Sequence, residues 1–409
     1  MKPVRLLIAL LLFTLGALAL YPVLFGAPAV AAAPPASDPK PRFLPLKPLA
    51  HGQTRPQVDL VFVIDTTGSM AGLIQAAKDK VWSIATTMAQ ADPAPEIRVG
   101  LVAFRDRGDA YVTRVFDLTS DLDAMYTALL GFEAAGGGDG PEAVNEALSA
   151  AVTKLSWRQS PGAYKAVFLL GDAPPHLDYP NDVQYPQTLA LARERGIVVN
   201  TVQCGADRAT TQSWQQIAAQ GQGDFMQVEQ NGSAVALSTP FDERLAALAR
   251  ELDATRLYYG DAETRSSKQA KLENSARLEA AASTASRARR AMFNATVSGQ
   301  DSLLGDHELV ADLGSGKLKL DSLAASELPA ALQPLAPAAR EAYVAEQAAK
   351  REQLTREIAA QAAQRNVWLE KKVAESGAAE SSLDHKLYRS LRAQAAEKGV
   401  PYPAAAPVY

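Results

Sequence analysis

The strongest constraint on this chain is a regular exchange of two hydrophobic periods between residues 58 and 252. VDLVFVID (58–65) is an unbroken apolar run of strand length, the pattern of a strand covered on both faces. Behind it Met70, Leu73, Ile74, Ala77, Val81, Ile84 and Met88 recur at helical spacing, which lays an amphipathic helix on the sheet. RVGLVAFR (98–105) is a second strand, and YVTRVFDL (111–118) follows a short polar loop that suits an antiparallel neighbour. Ser120–Phe132 reads as a helix with Ser120 and Asp123 as a capping pair, and Pro141–Trp157 as another. Then come a strand at 165–172, a helix at 187–195 stopped by Gly196, a strand at 197–205, a helix at 211–219, a strand at 224–230 and a helix at 241–252. Six strands alternating with helices predict an α/β fold: a doubly wound, mostly parallel sheet with helices on both faces.

The chain changes character on either side of this block. Lys2 and Arg5 precede the apolar run LLIALLLFTLGALAL (6–20), and Ala29-Val30-Ala31 offers a cleavage motif. Residues 1–31 have the layout of a secretory signal peptide, with an uncleaved anchor as the alternative. Either way the rest of the chain is expected to be exported, periplasmic or secreted, and a membrane is met only through this segment. Residues 32–57 are Pro-rich and read as a linker. From 251 to 409 Ala, Gln, Glu, Lys and Arg prevail and a mainly helical region is expected. It has helices at 266–293, 337–373 and 383–400, with a small hairpin near 307–323 turning at Gly314-Ser315-Gly316. The long helix suits self-packing or an oligomer contact.

Two strands end in a carboxylate followed by an irregular turn: VFVID-TTGSM at Asp65 and VFLLGD-APPH at Asp172. Ligands of open α/β sheets bind beyond the carboxyl ends of strands, where strand order reverses. If these two strands are neighbours there, Asp65 and Asp172 face each other, with Thr67 and Ser69 beside them. Carboxylates and hydroxyls are hard oxygen donors that suit Mg²⁺, with Mn²⁺ or Ca²⁺ as alternatives, and leave a position for an outside ligand. For Ser69 the competing reading is a helix cap. Asp139, in GGGDGPE (136–142), is either a further ligand or, with Glu142, a capping pair. His176 adjoins the proposed site and is a candidate partner contact or a rigid loop residue.

These motifs carry a resemblance. D-x-T-x-S after a buried first strand, with FRD, GGGDGPE and GDAPPH in this order, resembles the von Willebrand factor A domain over roughly residues 58–250. The four motifs together look like one subgroup of that family. The resemblance implies a sheet with one antiparallel edge strand and a metal-ion-dependent adhesion site. Asp65, Thr67, Ser69 and Asp172 match its ligands, and the ion would bind a protein partner through that partner's Asp or Glu. The commoner family pattern has Thr where this chain has Asp139. A third carboxylate would leave a local charge of about −1 and weaken attraction for a partner's carboxylate.

Other chemistries find little support. Net charge is −4 and no long basic block appears, so nucleic acid is not an expected partner. One cysteine, Cys204, excludes an intrachain disulfide and a thiolate zinc site, and the four histidines show no HExxH-type spacing. No Walker-type loop or recognisable nucleophilic triad occurs, so an enzyme is not expected; the alternative is a structural envelope protein in which the ion staples loops, and a metal-assisted hydrolase is the residual one. Arg107-Gly108-Asp109 reads as ordinary turn chemistry.

Overall fold

The computed structural model describes residues 55–138, 140–230, 237–376 and 383–402. The apolar N-terminal run, its cleavage motif and Asp139 lie outside them, as does nearly all of the Pro-rich linker. Six strands form one sheet: β1 Gln57–Asp65, β2 Glu96–Phe104, β3 Thr113–Thr119, β4 Tyr164–Gly171, β5 Ile197–Cys204 and β6 Gln222–Val228. Their order is β3-β2-β1-β4-β5-β6. Only β3 runs antiparallel, against β2. The expected doubly wound sheet is therefore present. The chain lays β2 on one side of β1 and later β4 on the other, so strand order reverses at β1.

The unbroken apolar run of β1 has a simple cause. Successive side chains of a strand point to opposite faces. Leu60, Phe62 and Ile64 enter one core and Val61 and Val63 another. Three helices cover the second face: α3 Val144–Thr153, α4 Tyr185–Glu194 and α5 Arg208–Gln220. The first face is covered by α1 Ala71–Met88 and α2 Leu122–Leu130. Met70, Leu73, Ile74 and Met88 of the expected helical stripe are buried, and Ala77, Val81 and Ile84 are partly buried. Trp82 and Ala85, off that stripe, are buried too, because a later helix covers the outer side of α1. Trp82 packs on Tyr126 and Phe293, with ring centroids 5.5 and 5.8 Å away.

The remaining helices are α6 Asp242–Asp253, α7 Ala262–Ala281, α8 Thr284–Asn294, α9 Val297–Leu304, α10 Leu309–Gly314, α11 Pro337–Ser376 and α12 Leu383–Ala396. Of these, α7, α8 and α12 share the core of the sheet, while α6, α9 and α11 gather with α8 in a separate cluster. Leu278 and Phe293, and Leu383, Leu387, Tyr388 and Leu391 of α12, belong to the same buried cluster as Leu60 and Phe62. All described residues fall in one compact unit. No described helix is long and apolar enough to cross a membrane.

Four local expectations need correction. The hairpin near 307–323 is instead α10 followed by a short 3-10 turn, Leu320–Ser322. Glu308 caps α10, accepting from Ala311 N at 2.8 Å, and Gly314 ends the helix where a hairpin turn was expected. The helix at 266–293 is two helices, because Ala282 is extended and Ser283 caps the second by accepting from Ser286 N. The cap of α2 is Asp121, which accepts from Ala124 N at 3.2 Å, not Ser120. Asp123 is instead buried against Arg290. Finally, α3 starts at Val144 rather than Pro141. The backbone of Glu142 is committed to the loop after β4, donating to Pro174 O at 3.0 Å and accepting from His176 N at 3.1 Å.

Candidate metal centre

At the end of β1 the Asp65 carboxylate is 1% exposed. Its Oδ1 accepts from the backbone N–H of Thr67 at 2.8 Å and from Thr67 Oγ1 at 2.7 Å. Thr67 Oγ1 lies 3.4 Å from Ser69 Oγ. One carboxylate and two hydroxyls therefore converge within five residues. Ser69 does not cap the following helix. The 3-10 turn Gly68–Met70 starts from Thr67 and α1 from Met70, neither with a side-chain cap. That removes the simpler account of the serine.

Asp172 follows directly on β4, the neighbour of β1. Gly171 makes room between the strand ends: a Cβ there would lie 3.1 Å from Asp65 Cβ and 3.0 Å from Trp214. Burial pushes the Asp65 carboxyl up to about 7; hydrogen bonds from Thr67 oppose this and the Asp172 charge adds to it. Gln230, just past β6, donates from Nε2 to Asp172 Oδ2 at 2.6 Å.

Two loops hold the turn in place. Gly136 and Gly137 both have φ +78, a conformation that favours glycine. Gly68 N donates to Gly136 O at 3.1 Å and Ala135 N to Thr66 O at 3.1 Å. Arg105 donates to Thr66 O at 3.1 Å and Glu133 O at 2.8 Å, and Asp109 Oδ2 accepts from Gly137 N at 3.0 Å. The Arg107-Gly108-Asp109 tripeptide is thus internal scaffolding. Arg107 pairs with Glu146 and lies 4.2 Å over the Tyr179 ring.

Glu142 does not act as a cap, since the N-cap of α3 is Ala143, without a side-chain bond. Its side chain is buried, and Oε2 has no hydrogen-bond partner among the described residues. Burial, then the charges of Asp65, Asp106, Asp109 and Asp172, push its carboxyl up to about 9. His176 is 6% exposed, too buried for a partner to reach. Its Nδ1 lies 2.8 Å from Asp178 Oδ1, and its ring stacks on Tyr179 at 3.9 Å. Tyr179 in turn donates to Asp106. The neighbouring Leu177 and Asp178 are exposed. Burial raises the Cys204 thiol, consistent with an inert buried side chain.

The structure brings together Asp65, Thr67 and Ser69 and sets Asp172 on the neighbouring strand end. Sequence reasoning missed Glu142 as a buried acid and missed Gln230; it singled out Arg105 and Asp106 in the FRD motif without giving them a role. Among the described residues no three His, Cys, Asp or Glu side chains form a metal-holding group. The donor set is two carboxylates and two hydroxyls. That set fits a hard divalent cation, because all its donors are oxygens and a buried oxygen of nearby Glu142 is left without a hydrogen-bond partner among the described residues. Asp65, Thr67, Ser69 and Asp172 would hold the ion, which would supply an electrophilic position for an outside oxygen ligand.

A family model described as the von Willebrand factor A domain matches residues 59–239. The von Willebrand factor A domain-containing protein 7 of Rattus norvegicus is 39% identical over 97 residues, 24% of this chain. The match spans only 10% of the rat protein's length. Among solved structures, proximal thread matrix protein 1 from the mussel byssus is 18% identical and covers 43% of each chain, with a TM-score of 0.34. The same mussel protein with a zinc-occupied MIDAS motif is 19% identical over 42% of each chain, also with a TM-score of 0.34.

Proposed function

From the premise that this chain contains a von Willebrand factor A domain, we propose that it is an exported, non-enzymatic protein that binds a protein partner through a divalent cation. Asp65, Thr67, Ser69 and Asp172 hold the cation, Mg²⁺ in the leading version and Mn²⁺ or Ca²⁺ in the others. An Asp or Glu of the partner completes its coordination. The observation that carries this reading is the convergence of Asp65, Thr67 and Ser69 in a turn where neither hydroxyl caps a helix. Carboxylate recognition by an ion works by direct charge attraction, and a dry site strengthens it. Catalysis has less support. Ser69 Oγ meets Thr67 Oγ1, and His176 is engaged by Asp178, so no serine–histidine pair is assembled here. Export rests on the charged and apolar N-terminal segment.

The test is isothermal titration of Mg²⁺, Mn²⁺ and Ca²⁺ into the chelator-stripped full chain and into Asp65→Ala. We expect one ion per chain in the parent and at least 100-fold weaker binding in the variant. Metal-dependent capture of a partner that Asp65→Ala fails to capture would then establish the adhesion role. Absence of ion binding by the parent at millimolar concentrations would refute the proposal.

A further inference from the structure

Gln230 is outside the matched motifs, yet its one amide touches two loops of the site. Nε2 donates to Asp172 Oδ2 at 2.6 Å and to Ser69 O at 3.3 Å. These loops follow β4 and β1, whereas Gln230 lies just past β6, with β5 between β6 and β4. The side chain therefore passes over the end of β5, where the residue is Gly205. Gly205 has φ +78, and a Cβ there would lie 2.5 Å from Gln230 Oε1. A larger residue at 205 would displace the amide. The lack of a side chain at Gly205 and the reach of Gln230 belong to one arrangement.

We propose that Gln230 is a positioning residue for the divalent cation, acting through Asp172. This rests on the ion-binding reading above. A carboxylate anchored through one oxygen offers the other in a fixed direction. Hydrogen-bond partners of metal-bound carboxylates typically contribute 10–100-fold in ion affinity. The second hydrogen of the amide, on Ser69 O, ties the serine turn to the Asp172 loop. Gln230 thus couples the strand-edge segment after β6 to the geometry of the ligands.

The experiment titrates Mg²⁺ and Mn²⁺ into chelator-stripped full-length parent, Gln230→Met and Gly205→Ala, and records melting temperatures in chelator. Met keeps the length of the side chain and removes the donor. We expect Gln230→Met to bind about 10-fold more weakly, the lower end of that range because the amide is exposed. Its melting temperature in chelator should equal the parent's. Gly205→Ala should weaken binding in the same direction. Equal or tighter binding by Gln230→Met would overturn the inference and leave the ion site standing. A fall in chelator melting temperature that accounts for the lost affinity would overturn it too, since the role would then be structural. If the parent itself binds neither ion, the ion-binding reading fails, and this inference with it.

Discussion

At the scale of single residues, the two buried acids near the site both favour their protonated form in the folded chain. A carboxyl raised in the folded state is protonated there over a range where the unfolded chain has already lost its proton. Stability then falls as pH rises from the unfolded value to the folded one, by up to about 1.4 kcal/mol per pH unit for one proton. For Asp65 that window runs from 3.8 to about 7, and for Glu142 from 4.5 to about 9. Above pH 7 only Glu142 of the pair still contributes. Denaturant unfolding in chelator should therefore show stability falling between pH 7 and 9 in the parent. Glu142→Gln should be flatter over that range, and Asp65→Asn should flatten the slope below it. A parent curve flat from pH 5 to 9 would show that neither acid is raised. Asp65, Thr67 and Ser69 were legible in the sequence because five consecutive residues supply all three. Gln230 was not, because it meets Asp172 only when β4, β5 and β6 are in place.

Elements that cover the sheet are fastened by charge as well as by apolar contact. Arg290 of α8 is fully buried and reaches both Asp123 of α2 and Asp253 of α6. Removing it strands two carboxylates, and breaking a buried pair costs about 3–5 kcal/mol. Arg290→Ala should lose that much in urea unfolding; a loss under about 1 kcal/mol would mean that water reaches the acids. Leu387 of α12 is 4% exposed and borders a small apolar void of about 20 Å³ shared with Leu60, Phe62 and Phe168. Leu387→Ala would enlarge that void, and cost grows with cavity size, so the upper part of the usual 2–5 kcal/mol range applies. Strands were easier to read than caps at this scale. The burial of β1 on both faces is written into one run of eight residues. Glu308, by contrast, reads as part of a strand until Arg351 is known to hold its carboxylate at 2.8 Å. That partner lies on another helix.

Across the whole molecule, the sheet shares one buried cluster with α7, α8 and α12, and α8 in turn joins α6, α9 and α11 in a second. They should melt together. Near-ultraviolet signal from Trp82, packed between α2 and α8, and far-ultraviolet helix signal should give coincident transitions in denaturant. Separate midpoints would show that the helices unfold independently of the sheet. The alternation of strands and helices announced the doubly wound order, since hydrophobic period distinguishes the two element types. Nothing in that period announced that helices beyond residue 253 would close the sheet. Their apolar residues are few and scattered, and each fits its place only against a surface formed by distant residues.

The position of α12 also sets an order of events during synthesis. All six strands have been made once Val228 is added, but Leu383, the first residue of the helix that fills the face over Leu60 and Phe62, comes much later. At about 5–20 residues per second the intervening chain takes roughly 10–30 s to make. Through that interval the nascent sheet has one apolar face without its final cover. A chaperone has that long to hold the chain, and α12 is the element that ends the need for it.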